Sequence, residues 1–238
     1  MNMKDFENQI AKIEQNFVSY SEMANITSCN IYTDKERFVA LPNATEGHFV
    51  VAKYQENFKE MQEFTPQALV RKSVLDKLQN VGLLINKINP DWQLVVTEGW
   101  RTLEVQTMKF NAVYEKVKDI ELAHQIIAAP DVAGHPSGGA VDVTIFDTKN
   151  NKAIDFGSEI YDFTDKICYV KNPKIEVGSE AWFNRMLLRG AMMSQGFAPF
   201  DGEWWHFCYG DREWAVYYGK KEFLYNQKAF DEIKEPEK

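Results

Sequence analysis

Four histidines occur in the chain, and two of them stand in company that could do chemistry. His135 lies in Ala133-Gly-His-Pro-Ser-Gly-Gly-Ala-Val-Asp142, with a carboxylate seven residues further on. A glycine-bearing loop that feeds a strand lets an imidazole and a strand carboxylate converge at a spacing that a regular element would forbid. His206 follows Glu203 by three residues in Glu203-Trp-Trp-His206. In a regular strand those two side chains would face opposite sides, so the backbone must bend near Asp201-Gly202 if both serve one site. His135, Asp142 and His206 together would hold a zinc ion and leave its fourth tetrahedral position to water, the arrangement of catalytic rather than structural zinc. Glu203 would then be the general base that takes a proton from that water. Arg101, at the end of a predicted strand, offers a fixed charge and a planar fork to the developing oxyanion.

Spacing by itself leaves other readings open. A His or Asp in a glycine loop can be a turn residue, Asp142 a solvent-facing strand residue, and Glu203 a surface charge at a strand start. His48, in Thr45-Glu-Gly-His48, and His124 lack a partner pattern and read as structural residues. Cys29, Cys168 and Cys208 are odd in number and without CxxC spacing, so they read as reduced, buried thiols. Cys208, two residues past His206, is a remote candidate for an extra ligand, and Trp204-Trp205 reads as core or pocket wall.

The elements that must position these groups follow from periodicity. From Thr65-Pro66, an N-cap followed by proline, apolar residues from Leu69 to Ile88 recur at helical spacing until Asn89-Pro90, which predicts a helix. Gln93–Thr97, short and β-branched, predicts a buried strand that delivers Glu98-Gly-Trp-Arg101 to its end. A second helix is predicted from Leu103 to Lys118, a loop over Asp131–Gly139, and a strand over Ala140–Phe146 that turns through Asp147–Lys152 onto Ala153–Phe156. Glu180–Gln195 reads as a helix stopped by Gly196, and Glu203–Tyr209 as an aromatic strand. Beyond Asp211 the sequence reads as a charged, aromatic tail whose last residues, Lys234–Lys238, are expected to be disordered.

Composition narrows the class. With 238 residues, 45% hydrophobic and 26% charged, and with 16 Phe, 10 Tyr and 6 Trp, the chain has the profile of a folded globular protein. A net charge of −8 and the lack of a Lys/Arg cluster argue against nucleic-acid binding. No segment is apolar over the length of a signal peptide or a membrane span, so the sequence reads as cytoplasmic, or as periplasmic if a signal peptide was removed. No feature specifies an oligomeric state.

His135-Pro-Ser-Gly-Gly-Ala-Val-Asp142 resembles the H-x-x-G-x-A-x-D motif of the D-alanyl-D-alanine peptidases, and Glu203-Trp-Trp-His206 resembles the second motif of their dipeptidase branch, the type known from vancomycin resistance. The likeness runs from about Asn25 to the strand after His206 and takes in Gly99-Trp-Arg101, Val105-Gln106 and Asn184-Arg-Met-Leu-Leu188. It implies zinc ligands at His135, Asp142 and His206, a catalytic base at Glu203, and transition-state stabilisation by Arg101. It also implies that Asp162, in Tyr161-Asp-Phe163, receives the free ammonium of a dipeptide. Two departures stand out: Ala133 replaces the serine usual two residues before the first histidine, and Trp100-Arg101-Thr102 replaces an aromatic-Arg-Pro pattern.

The combined expectation is one α+β domain over residues 1–238, its core at about 25–210, with a central, mainly antiparallel sheet flanked by helices in the manner of hedgehog and DD-peptidases. One zinc ion would serve hydrolysis of D-Ala-D-Ala or a related small dipeptide. A D,D- or L,D-carboxypeptidase acting on muropeptides would share every metal residue, and a non-catalytic zinc or ligand-binding module would share the fold. Glu203 and Arg101 beside the ligands speak against the last, since a structural site has no use for a base or an oxyanion donor.

Overall fold

Asp142 sits in the middle strand of a sheet, and the rest of the architecture is arranged around that strand. The structure, a computed structural model, describes residues 18–26, 28–29, 32–42, 50–52, 61 and 67–233. Helix α1, Tyr20–Asn25, opens on Ser19 in a reciprocal cap with Glu22. Short strands β1 (Ser28–Cys29), β2 (Phe38–Ala40), β3 (Val50–Ala52) and β4 (Leu69–Arg71) follow. Helix α2 then runs over Lys72–Ile88 and buries Val74, Leu78, Val81 and Ile85. Leu69 and Val70 therefore belong to a strand and not to the helix predicted from Thr65: they pair antiparallel with Ala40 and Val39. Three consecutive buried residues suit a strand covered on both faces, and helical spacing is kept only from Val74 onward. Thr65, Pro66, His48 and Lys234–Lys238 lie outside the described residues.

Strand β5, Trp92–Glu98, leads to Arg101, and α3, Leu103–Val117, is capped by the Thr102 hydroxyl. A left-handed Lys118 (φ 55°) ends that helix, and α4, Ile120–Ile126, starts on an Asp119 cap. Strand β6 is Ala140–Asp147 and β7 is Lys152–Ala153, the expected hairpin in a shorter form. Helix α5 (Glu180–Ser194), β8 (Ala198–Pro199), β9 (His206–Cys208), α6 (Arg212–Tyr217) and β10 (Glu222–Phe223) complete the order.

The main sheet has the order β3-β5-β6-β9-β8, with β7 paired onto β6. Within this sheet only the β3–β5 pair is parallel, so the fold is the expected mixed α and β arrangement on a mainly antiparallel sheet. Alternation along β6 turns Val141, Val143 and Ile145 into the core with Leu94 and Val96 of β5, where they meet α2 and α5. Asp142 and Thr144 take the other face. A register shift between Val96 and Glu98 sets Glu98 opposite Asp142, and His206 pairs with Asp142 from the other side. Three adjacent strands thus bring Glu98, Asp142 and His206 into one row. Among the described residues no helix is long and apolar enough to cross a membrane.

The stretch beyond Asp211 is packed rather than a loose tail. Ala215, Phe223 and Tyr225 are buried, and β10 pairs parallel with β1. Arg71 fastens it. This guanidinium, 1% exposed, donates to the carbonyls of Ser137 (2.8 Å), Asp34 (2.9 Å), Glu36 (2.7 Å) and Asn226 (3.1 Å), between the rings of Phe38 and Tyr225. One side chain so joins the amino-terminal segment, the loop carrying His135 and the carboxy-terminal segment. Arg71→Met, which strands four carbonyls and Asp34, is expected to lower stability by about 3 kcal/mol in urea denaturation. A loss below about 0.5 kcal/mol would show that these segments are held by other means.

Candidate metal centre

His135 opens a single 3-10 turn, His135–Ser137, with Pro136 fixing its first step. The turn ends at Gly138, whose φ of 74° favours glycine and where a Cβ would come within 2.3 Å of the Phe38 ring. The Ser137 hydroxyl donates to Gly134 O (2.6 Å) and accepts from Gly139 N–H (3.0 Å), so the loop is stiff despite its glycines.

Glu203 and His206 are reconciled by a turn. The expected strand from Glu203 to Tyr209 is shorter, starting only at His206; before it, Glu203 N–H donates to Phe200 O (3.3 Å) and His206 N–H donates to Glu203 O (3.2 Å). The two-residue period of a strand therefore does not apply between them. Asp201, buried against Arg189 of α5, anchors the bend, and burial pushes its carboxyl up to about 6. Trp204 and Trp205 are core residues, Trp204 stacked on Phe156 at 4.1 Å and Trp205 edge-on to Tyr161 at 5.4 Å.

The potential ligand atoms of His135, Asp142 and His206 all lie within 4.8 Å of one another. Asp142 Oδ1 is 3.6 Å from His135 Nε2 and 3.0 Å from His206 Nδ1. Each group is also held from behind. His135 Nδ1 is 2.8 Å from the Gly99 carbonyl, which can only accept, so Nδ1 carries a proton and Nε2 is the nitrogen turned toward Asp142. His206 Nε2 faces Glu213 Oε2 at 3.6 Å, and Asp142 Oδ2 accepts from the Tyr161 hydroxyl at 3.2 Å.

The electrostatics favour a cation. Burial would raise the Asp142 carboxyl, but His135 and His206 more than offset it and hold it below the usual range. Burial opposes charge on His206, yet Glu213 and Asp142 lift it well above the ordinary imidazole value. Burial pushes Glu203 up to about 7, with Asp142 and Glu213 adding to the rise and His206 resisting it. Burial and the Asp142 charge also raise the Tyr161 phenol, keeping it a donor. Glu98, Asp142 and Glu203 all feel the Arg101 charge, Glu213 acts on His206 and Glu203, and Glu213 Oε1 is buried without a hydrogen bond. Two imidazole nitrogens and a carboxylate oxygen amid surplus negative charge are a donor set suited to a divalent ion such as zinc.

Arg101 is fixed by Glu98, which accepts from its Nε at 2.6 Å and pairs with a second guanidinium nitrogen, and by Gln106 Oε1 at 2.6 Å from Nη1. Burial works against its charge, and the Glu98 carboxylate outweighs burial, so the guanidinium stays protonated. Arg101, His135, Asp142, Glu203 and His206 line a single cavity of about 350 Å³, whose wall also includes Met23, Val113 and Ile127. Asp162 is not among the residues lining it; its carboxylate accepts from Thr164 N–H at 2.9 Å and shapes the turn after Tyr161. Cys208 points its thiol to Ala198 O (3.7 Å), outside the ligand group, and His124 stacks on Tyr20 at 4.3 Å.

Sequence reasoning passed over Glu98, Gln106, Tyr161 and Glu213. Glu98 had a signal, an acid three residues before a strand-end arginine. Glu213 was hidden by the reading of its segment as a tail, and the left-handed backbone of Tyr161 (φ 67°) leaves no mark in composition.

A family model described as peptidase M15, D-Ala-D-Ala dipeptidase, matches residues 36–234. A D-alanyl-D-alanine dipeptidase of Synechocystis sp. is 26% identical, with 64% of this chain and 74% of that protein covered. One of Enterococcus faecium is 23% identical with the same coverage. A solved LD-carboxypeptidase, LdcB, superposes with a TM-score of 0.45 at 16% identity over 85% of this chain and 81% of that one.

Because His206 retains a proton between Asp142 and Glu213, uptake of a divalent ion at pH 7 is expected to release about one proton per ion or more. Calorimetric titration in two buffers of different ionisation enthalpy measures it. Proton-neutral uptake would show that His206 gives up no proton to the ion.

Proposed function

We propose that this chain, which belongs to the D-Ala-D-Ala dipeptidase family, hydrolyses the peptide bond of D-Ala-D-Ala or a closely related small dipeptide with one zinc ion held by His135, Asp142 and His206. The observation that carries this reading is the convergence of those three donors on a cavity wall that also presents Glu203 and Arg101. Zinc bound there supplies Lewis acidity to the scissile carbonyl and acidifies the attacking water.

The chain's own groups do the rest. Glu203, pushed up to about 7, is matched to neutral pH for taking a proton from water and passing it to the leaving amine. Arg101, locked by Glu98 and Gln106, keeps its charge in a fixed place where an oxyanion develops, and costs no reorganisation during the step. By the family resemblance the substrate ammonium falls to Asp162, half-buried between the cavity-lining Tyr161 and Phe163, with Oδ1 accepting from Thr164. A carboxylate placed to receive the ammonium would go unanswered with a blocked amine, which restricts the substrate to free dipeptides.

Glu203→Ala is expected to keep its zinc, measured by metal analysis, and to lose turnover of D-Ala-D-Ala by roughly 10²- to 10⁴-fold; a variant cleaving at the wild-type rate removes Glu203 from the mechanism. The wild-type protein is expected to cleave the free dipeptide and reject its N-acetylated form. Equal rates on both would favour a carboxypeptidase acting on longer peptides.

A further inference from the structure

One hydroxyl at the metal centre has no part in the chemistry above. Tyr161 Oη lies 3.2 Å from Asp142 Oδ2 and 2.8 Å from Thr97 Oγ1, and Thr97 Oγ1 lies 3.2 Å from the Asp142 carbonyl. The other carboxylate oxygen, Oδ1, is the one that faces His135 Nε2 and His206 Nδ1. The two oxygens of Asp142 are therefore divided, one held by a phenol and one turned to the ligand group. Tyr161 reaches this place at some strain. Its φ of 67° lies in the left-handed region that side chains other than glycine rarely adopt, at the end of the turn before Asp162, and its ring is set edge-on against the buried Trp205. Strain of this kind persists where the surroundings over-determine it, and here the surroundings are Trp205, Thr97 and Asp142.

Carboxylates bind ions through one oxygen or through both. A two-oxygen grip by Asp142 would take up a position that hydrolysis needs for water and substrate. We infer that Tyr161 is a positioning residue that limits Asp142 to holding zinc through Oδ1 alone and so keeps that position open. The inference rests on the zinc reading above and is tested apart from catalysis.

Tyr161→Phe keeps the ring and its packing and removes only the hydroxyl. Zinc affinity, from competition against a chelating dye, is expected to fall 10- to 100-fold. The visible absorption of the cobalt-substituted variant is expected to weaken relative to wild type, as a second Asp142 oxygen raises the coordination number. Thr97→Val, which leaves the phenol without its orienting partner, is expected to move both readouts in the same direction by less. Unchanged affinity and an unchanged cobalt spectrum in folded Tyr161→Phe would overturn the assignment, and if that variant does not fold, the same result in Thr97→Val would do so. A wild-type protein that takes up no zinc would overturn the zinc reading together with this one, whereas equal affinities in wild type and variant would overturn the role of Tyr161 alone.

Discussion

A carboxylate buried in the middle strand of a sheet is unstable unless neighbouring groups answer its charge, and Asp142 imposes that condition on everything around it. Two imidazoles face one of its oxygens and a phenol donates to the other. The neighbouring strands deliver these partners by register: β9 places His206 directly opposite, and the irregularity in β5 places Glu98 opposite on the other side, which in turn recruits Arg101. How this one buried charge is satisfied decides which side chains stand together at the cavity wall.

The same requirement explains why the surroundings are rigid. An imidazole offered by a loop is useful only if the loop cannot wander, and the His135 turn is fixed at its start by the Gly99 carbonyl, inside by Ser137, and at its end by Arg71 donating to Ser137 O. Arg71 draws in the carboxy-terminal segment as well, so residues far from the cavity share in shaping it. On the other side of the site, the Glu203 bend is fastened to α5 through Asp201 and Arg189 and backed by two buried tryptophans. Low polarity behind the site and excess negative charge within it act together, since burial strengthens each charge interaction that a bound cation would satisfy.

Much of this was legible in the sequence where the signal is local. The alternation of Ala140–Phe146, the glycines before it, the apolar period from Val74 to Ile85 and the glycine after α5 each reflect contacts made within one element, and those elements appear where expected. The two motifs named the residues that meet in space. What stayed hidden depends on partners distant in sequence. Leu69–Arg71 is a strand because residues 38–40 pair with it, which no local period records. Residues 212–233 read as a tail because charged residues are interleaved with their aromatic ones, yet Phe223 and Tyr225 bury against segments nearly two hundred positions earlier. Glu213, Tyr161 and Glu98 matter through what they face, and each looks ordinary in its own stretch of chain.

In the proposed function, His135, Asp142 and His206 bind one zinc ion and leave part of its coordination to non-protein atoms. Anomalous diffraction at the zinc edge from crystals of the zinc-loaded protein measures this directly. A single strong peak is expected, bonded to His135 Nε2, His206 Nδ1 and one oxygen of Asp142 at about 2.0–2.2 Å, with no fourth protein atom in reach. A peak away from these three side chains, or one capped by a fourth protein ligand, would contradict it.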